Sequence, residues 1–209
     1  MNNEKINSGQ IPFLEENIWD GYPEETNAPY GLAKKMLLVQ SKAYREQYNF
    51  KSIVVIPTNF YGPNDHFEPS SSHVIPALIL KIYNAKKNND NKIVVWGDGS
   101  PTRDFMYVED TVKGLILAAE KYDNDLPLNL GTSEETSIMD LTKLICELLD
   151  YNGNIVWDKT KPNGQPRRCL SYQRAKEEIG FEPTTKLKDG LRNTIEWFIE
   201  NKEKNVIKN

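Results

Sequence analysis

Apolar and polar residues alternate along the chain in two patterns, one typical of helices and one typical of strands. In the first helical segment Pro29 suits the opening turn, and apolar residues follow at every third or fourth position, at Leu32, Met36, Val39 and Ala43. This spacing predicts a buried helix. Further helices are predicted over residues 70–87, 109–121, 138–149, 172–179 and 187–201.

Runs rich in β-branched residues predict strands between these helices. Because strands and helices alternate, the sequence predicts an α/β fold. Thr58–Pro63 is predicted to be a loop at the carboxyl end of the first strand, where ligands bind in open α/β sheets. The predicted strands are Ser52–Pro57, Lys92–Trp96, Thr102–Val108, Leu128–Gly131 and Asn154–Asp158.

The composition narrows the class of protein. A chain of 209 residues with 38% apolar residues can bury one core, or one core and a small lobe. No run approaches about 18 apolar residues and Met1–Lys5 is too polar to open a secretion signal, so we expect a cytoplasmic protein without a membrane segment. A net charge of −4 argues against non-specific nucleic-acid binding. Cys146 and Cys169 form no metal motif, and Cys146 is expected in the core.

A tyrosine and a lysine near the start of the first predicted helix suggest a chemical role. Tyr30 and Lys34 are four residues apart, so a helix places both side chains on one face. A fixed positive charge beside a phenol favours the phenolate, which can exchange protons with a substrate hydroxyl or carbonyl. Spacing alone is explained as well by a solvated helix face, but the strand and loop that follow favour a ligand site.

Three other features allow both a chemical and a structural interpretation. His73 precedes a predicted helix, where it could act as a neutral base or donor, or could cap or pack against the helix. The loop 159–168 contains two arginines and suits a phosphate, although a solvated basic turn has the same composition. Gly97-Asp98-Gly99 follows a strand but leads into Pro101 and another extended segment, so we interpret it as a turn and not as a phosphate-binding loop.

Several segments together resemble one family. The Tyr-x-x-x-Lys helix, the strand after it and the loop ending in Tyr61-Gly62-Pro63 are similar to the extended short-chain dehydrogenase/reductase superfamily. This resemblance implies the C-terminal part of a Rossmann-type doubly wound parallel sheet with a small α/β substrate-binding lobe. A narrower resemblance, to the GDP-L-fucose synthase subfamily, comes from Asn27–Lys34, Pro57–Pro63, Ser72–Leu78, Val95–Gly99, Arg103–Phe105 and Lys161–Gly164.

The resemblance implies a catalytic role for three residues. Tyr30 would donate a proton to the C4 oxygen of GDP-4-keto-6-deoxy-D-mannose during reduction. Lys34 would support Tyr30 electrostatically and would bind the nicotinamide ribose of NADP(H). His73 would act as acid and base in the epimerisations at C3 and C5, where a proton beside the C4 ketone is removed and returned on the other face.

The same resemblance implies two sets of binding residues. The residues bordering the nicotinamide cofactor would be Tyr30, Lys34, Pro57, Thr58, Asn59, Phe60 and His73. The residues holding the nucleotide sugar would be Lys81, Trp96 and Arg103. Asn163 stands where we expect an aspartate in the family, so a nucleotide contact at this position is left open.

Part of the family pattern is missing from the sequence. It contains no glycine-rich turn for a pyrophosphate, and it lacks the serine and cysteine that the family carries on a strand before the tyrosine helix. Neither Cys146 nor Cys169 can replace that cysteine. We therefore expect the C-terminal two-thirds of such an enzyme, divided into an N-terminal loop segment (1–28), the remainder of a dinucleotide-binding domain (29–70), a nucleotide-sugar lobe with segments returning to the sheet (71–202) and a tail (203–209).

The sequence leaves more than one interpretation of assembly and of function open. The apolar residues of the tyrosine helix exceed what one buried face needs, so we expect a homodimer through this helix or association with a missing N-terminal half. The functional alternatives are an inactive remnant or GDP-sugar-binding module, and an epimerase or dehydratase of another nucleotide sugar. The last of these would give no role to His73.

Overall fold

The computed structural model describes residues 11–23, 25–68 and 71–204, and its α-helices confirm those predicted from the sequence. The start predicted for the second helix, at Ser70, lies outside the described residues, and this helix begins at Val74. Short 3-10 helices cover Glu15–Trp19 and Glu25–Asn27. The α-helices are α1 Ala28–Tyr48, α2 Val74–Lys87, α3 Val108–Lys121, α4 Ile138–Leu148, α5 Gln173–Ile179 and α6 Leu187–Glu203.

The strands of the described residues are short, and several depart from prediction. The loop predicted at Thr58–Pro63 is wrong in part, because residues 59–61 form a strand. The single strand predicted at Thr102–Val108 is interrupted at Asp104. The strands are β1 Val55–Pro57, β2 Asn59–Tyr61, β3 Lys92–Trp96, β4 Thr102–Arg103, β5 Phe105–Tyr107, β6 Leu128–Leu130, β7 Thr136–Ser137, β8 Asn154–Asp158 and β9 Arg167–Arg168.

Parallel pairing dominates the arrangement of these strands. β1 pairs with β6, β2 with β5 and β3 with β8, all in parallel. β4 lies between β7, which is antiparallel to it, and β9, which is parallel. Parallel strands need crossover connections, and helices supply them here, so the α/β prediction holds.

Two clusters of buried apolar side chains form the core. The larger lies among α2, α4, α6 and the β3–β8 pair, with Ile79, Ile145 and Phe198 fully buried. The smaller includes Leu128 and Phe181 and lies beneath α3 and α5. Cys146 is buried in the larger cluster as predicted, and burial raises the pKa of its thiol to about 11. No helix in the described part of the chain is both long and apolar enough to cross a membrane.

The prediction that α1 is a buried helix is wrong. Within this helix only Ala28 and Leu38 are buried, among the residues whose side chains are described. The apolar stripe of α1 is exposed instead, by 43% at Leu32, 55% at Met36 and 52% at Val39. Helical spacing identified the stripe correctly but could not identify what covers it, and no element of the described residues does so.

The segment before α1 is not only a surface loop, as predicted for residues 1–28. Residues 1–10 lie outside the described part, but Phe13 donates its N–H to the carbonyl of Cys169 and accepts from the N–H of Ser171. The carboxylate of Glu15 is buried and accepts a hydrogen bond of 2.9 Å from the N–H of Asn129. These contacts attach the N-terminal segment to β6 and to the chain before α5.

A buried carboxylate at the start of α3 joins this helix to the chain before α6. Asp110 accepts hydrogen bonds from the N–H of Thr185 at 2.8 Å and from the N–H and hydroxyl of Thr184 at 3.1 and 3.0 Å. Burial alone would raise the pKa of Asp110, but the hydrogen bonds from Thr185 and Thr184 bring it below its ordinary value. The folded state therefore favours the ionised carboxylate.

Asp110→Asn should lower the free energy of unfolding by about 1–3 kcal/mol at neutral pH, because an amide cannot accept all three hydrogen bonds. The pKa of Asp110 is lower in the folded than in the unfolded state. The stability that Asp110 supplies is therefore fully present above its pKa in the unfolded state, and it is lost as the pH falls through its pKa in the folded state. Urea unfolding at pH 7 and pH 3 should show a smaller acid-induced loss for the variant. Asp90→Asn, at an exposed position, is the matched control, and equal stability of the two variants would contradict the role of Asp110.

Candidate active site

Tyr30 and Lys34 lie together near the start of α1, as their spacing predicts. The ammonium nitrogen of Lys34 is 5.3 Å from the centroid of the Tyr30 ring, within the range of a cation–π contact. The side chain of Tyr30 is 60% exposed, so its hydroxyl is open to a ligand. Lys35, on the neighbouring face, donates to the carbonyl of Gly21 and ties the preceding segment to α1. The pair can therefore act on a molecule that approaches from solvent.

The segment predicted to border a cofactor connects β1 with β2. Thr58 is buried, and its hydroxyl donates to the carbonyl of Asp104 at 3.1 Å. The side-chain amide of Asn59 donates to the same carbonyl at 3.1 Å. Phe60 is 52% exposed. The carbonyl oxygen of Asp104 thus fixes Thr58 and Asn59, while the ring of Phe60 remains available to a ligand.

Asp104 holds this region together through its carboxylate as well. The carboxylate is fully buried and accepts from the N–H groups of Thr132 at 3.2 Å and Leu170 at 3.3 Å. Burial raises the pKa of Asp104, and the hydrogen bonds from Thr132 and Leu170 offset part of this rise. The sequence pointed to Asp104 only as a member of the Arg-Asp-Phe segment. The one signal in the sequence was a carboxylate flanked by an arginine and an apolar strand.

A second group of predicted residues gathers around the end of β3. The ammonium of Lys81 donates to the carbonyl of Val94 at 2.6 Å, and partial desolvation lowers the pKa of this lysine. Trp96 is 67% exposed, and the ammonium nitrogen of Lys161 is 5.6 Å from its ring centroid. An exposed indole beside a cation can stack on a nucleobase.

Asn163 fixes the turn after Trp96. Its side-chain oxygen accepts from the N–H of Asp98 at 2.9 Å. Hydrogen bonds from the hydroxyl and N–H of Ser100, with that of Asn163, bring the pKa of Asp98 down to about 2. Gly97 has φ +81°, and a Cβ there would lie 2.3 Å from the oxygen of Asn163. The turn predicted at residues 97–101 is confirmed, and the contact observed for Asn163 is to the protein itself.

Arg103 lies beside the same loop. A Cβ on Gly164 would lie 3.6 Å from one of its guanidinium nitrogens, and Arg103 donates to the carbonyl of Thr102 at 2.7 Å. Partial burial and the charge of Arg168 lower the pKa of Arg103. Arg103 and Trp96 thus both lie beside the loop 159–166, which Lys161 and Gly164 belong to.

His73 occupies the position before the first turn of α2. Its side chain is exposed and makes no capping hydrogen bond with the helix. The capping interpretation therefore has no support in the geometry. Among the contacts of the described residues, none joins His73 or Tyr30 to the group around Trp96, and the roles assigned to these residues stay predictions.

Comparison with known proteins shows which family the chain belongs to. The sequence profile of the NAD dependent epimerase/dehydratase family matches residues 7–131. The chain is 39% identical over 190 residues to the probable GDP-L-fucose synthase 1 of Oryza sativa subsp. japonica, covering 91% of this chain and 58% of that protein. It is 37% identical over 202 residues to the GDP-L-fucose synthase of Escherichia coli strain K12, covering 92% of this chain and 63% of that protein. The chain thus spans about three-fifths of the length of these relatives.

Solved structures agree with the sequence comparison. A crystal structure of a GDP-L-fucose synthetase from Naegleria fowleri bound to NADP matches with a TM-score of 0.85 and 30% identity, over 94% of this chain and 63% of that chain. A UDP-glucose 4-epimerase from Thermotoga maritima matches with a TM-score of 0.74 and 31% identity, over 83% of this chain and 54% of that chain. The likeness confirms the predicted fold class, part of a Rossmann-type α/β fold. The family profile covers more than half of the sequence, so the chain belongs to the NAD dependent epimerase/dehydratase family.

Proposed function

We propose that the chain is the catalytic and substrate-binding part of an NADPH-dependent GDP-L-fucose synthase, which converts GDP-4-keto-6-deoxy-D-mannose to GDP-L-fucose by 3,5-epimerisation and 4-reduction. The observation that carries the proposal is the contact of Lys34 with the exposed ring of Tyr30. The identities to GDP-L-fucose synthases from a plant and a bacterium support the substrate.

In this proposal Tyr30 and His73 move protons at different carbons of the sugar. The hydroxyl of Tyr30 donates its proton to the C4 oxygen as the carbonyl becomes an alcohol, and the charge of Lys34 stabilises the resulting phenolate. The imidazole of His73 removes the proton beside the ketone at C3 or C5 and returns one to the opposite face. NADPH, when bound, supplies the hydride.

The residues present fit the nicotinamide end of such a cofactor. Tyr30 and Phe60 expose rings, Lys34 offers a cation to a ribose hydroxyl, and Thr58 and Asn59 are held by one carbonyl. The sequence offers no glycine-rich turn for the pyrophosphate. We therefore assign residues 29–70 to the cofactor domain and 71–202 mainly to the nucleotide-sugar lobe, and the pairing of β6 with β1 supports a return of the later segment to the sheet.

The nucleotide sugar is assigned to the group around β3 and β4. Lys81 and Arg103 would hold the ligand by charge, and Trp96 would stack on its base. A GDP-sugar-binding module without redox chemistry is the second candidate, because the sequence retains this group but has no glycine-rich turn. The cytoplasmic location stays a prediction.

The 209-residue chain should bind GDP measurably and NADPH much more weakly, because the pyrophosphate of NADPH has no amide cradle in this sequence. Isothermal titration calorimetry with each nucleotide tests this. Trp96→Ala should weaken GDP binding by about 1–3 kcal/mol, the value of stacking one base on an aromatic side chain, and should leave NADPH binding unchanged. Tight NADPH binding would overturn the cofactor part of the proposal, and absence of GDP binding would overturn the nucleotide-sugar part.

His73→Gln and Tyr30→Phe should separate the two chemical steps in a protein whose cofactor domain has been completed by fusion to a family N-terminal segment. His73→Gln should slow proton exchange at C3 and C5 by about 10²–10⁴ and leave hydride transfer possible, since glutamine cannot carry the proton. Tyr30→Phe should suppress reduction and permit exchange. Solvent deuterium incorporation into the keto sugar, with and without NADPH, is the measurement. Exchange at the unaltered rate in His73→Gln would remove the epimerase assignment.

Assembly is proposed to use the exposed stripe of α1. Met36 lies two residues beyond Lys34, about 200° around the helix, so a partner on the stripe leaves the Tyr30–Lys34 face accessible. We infer a homodimer through this stripe, or association with a separate N-terminal half. The second possibility is supported by the edge of β1 opposite β6, with which no strand of the described residues pairs.

Met36→Glu should abolish self-association, because it places a charge within the apolar stripe. Sedimentation velocity at micromolar concentration should give a dimer for the unaltered chain and a monomer for the variant. Asn193→Glu adds the same charge at an exposed position on α6 and should remain dimeric. An unaltered chain that sediments as a monomer would exclude the homodimer.

A further inference from the structure

Two asparagines of the chain are followed directly by a glycine, and they lie in different environments. Asn152-Gly153 precedes β8, and Asn163-Gly164 lies in the loop after it. Asparagine is a chemically labile residue, because the backbone nitrogen of the next residue can attack its side-chain amide. Glycine hinders this attack least, since it has no Cβ. Both pairs therefore carry the same intrinsic chemistry, and the fold decides whether it occurs.

The pair Asn163-Gly164 is open to this reaction. Both residues are exposed, and in the described part of the chain the one atom within 4 Å of a Cβ built on Gly164 is a guanidinium nitrogen of Arg103, at 3.6 Å. A nearby cation favours loss of the proton from the attacking nitrogen. The side-chain oxygen of Asn163 accepts from the N–H of Asp98 at 2.9 Å. This donor stabilises the negative charge that develops on the oxygen when the amide carbon is attacked.

The pair at 152–153 is held in place instead. A Cβ on Gly153 would lie 2.1 Å from the hydroxyl oxygen of Tyr151. That hydroxyl donates to the carbonyl of Asp90 at 3.1 Å, and the N–H of the residue after the glycine donates to the carbonyl of Asn91 at 2.8 Å. The chain on both sides of Gly153 is thus tied to the segment before β3. Attack requires that the two reacting atoms approach in one orientation, and these contacts restrict that approach.

We propose that Asn163-Gly164 is a site of spontaneous deamidation in the folded protein and that Asn152-Gly153 is protected from it. Hydroxide removes the proton from the nitrogen of Gly164, which then forms a bond to Cγ of Asn163. The Cγ–Nδ2 bond breaks, water returns a proton to the departing nitrogen, and ammonia leaves. A second water opens the resulting succinimide at either carbonyl and gives aspartate or isoaspartate. Apart from water and hydroxide, the reacting groups belong to this chain, so the inference does not depend on the proposed function.

Either product changes the loop 159–166 beside the Trp96 turn. Aspartate at position 163 keeps an oxygen that can accept from the N–H of Asp98, but it adds a negative charge near the side chain of Asp98. That carboxylate is itself ionised, because hydrogen bonds from Ser100 and Asn163 bring its pKa down to about 2. Isoaspartate lengthens the main chain by a methylene group, so the loop also changes shape. The charge and the shape of this loop thus depend on the age of the molecule.

The test compares the two pairs within one polypeptide. The 209-residue chain is incubated under native conditions at pH 6 and pH 8, and peptide mapping by mass spectrometry measures conversion of amide to acid at each asparagine. Conversion at Asn163 should be at least several-fold faster than at Asn152, and faster at pH 8, since the attacking nitrogen must lose a proton. In urea the two rates should become similar, because the fold no longer distinguishes the two pairs.

A pair of variants tests the contribution of the nearby cation. Arg103→Gln should slow conversion at Asn163 and leave the rate at Asn152 unchanged, and the second rate also reports that the variant is folded. Arg192→Gln removes the same charge at an exposed position on α6 and should alter neither rate. Equal rates at the two asparagines in the folded chain, or the same ratio of rates with and without urea, would show that the fold does not select the site and would refute the inference. An unaltered rate at Asn163 in Arg103→Gln would refute the role of this arginine.

Discussion

The buried carboxylate and backbone of Asp104 connect the parts of the molecule that must stay in register. Its carbonyl accepts from Thr58 and Asn59, and its N–H donates to the carbonyl of Arg168. Its carboxylate accepts from the N–H groups of Thr132 and Leu170. A buried carboxylate costs several kcal/mol unless such donors surround it, so the folded position of Asp104 depends on the segments of Thr132 and Leu170. One residue thereby links the segment of β1 and β2 to the strands β4 and β9.

Long elements with a clear period could be predicted from the sequence, and short ones could not. β3 and β8 have the predicted bounds because each is five residues long around a β-branched run, Ile93–Val95 in β3 and Ile155–Val156 in β8. α4 begins after Ser137 because this side chain accepts from the N–H of Asp140. β4 and β9 are two residues long, and their existence depends on pairing between positions more than sixty residues apart. No local pattern encodes such a pairing. The prediction that α1 is buried was wrong for a related reason. A helical period indicates which side of a helix is apolar but does not indicate what covers that side.

The residues of the candidate site show the same difference between local and long-range determinants. Tyr30 and Lys34 could be placed together because four residues of helix fix their relative position. The two arginines of the 159–168 loop were equivalent in the sequence, and only the parallel register gives one to Glu135 and leaves the other facing Arg103. Asn163 likewise was considered for a nucleotide contact, whereas its oxygen holds the backbone of Asp98. Residues whose role depends on long-range pairing were therefore the ones that sequence reasoning did not resolve.

The contact between Gly97 and Asn163 has an evolutionary consequence. The oxygen of Asn163 occupies the space that a side chain at position 97 would need, and the positive φ of Gly97 independently disfavours any other residue. A substitution at 97 would expel the asparagine and would also strain the backbone, while loss of the asparagine alone would leave the N–H of Asp98 without its acceptor. The two positions are therefore constrained in different ways: position 97 favours glycine whatever residue stands at 163, and a residue at 163 keeps this contact only if it carries an oxygen that can accept from the N–H of Asp98.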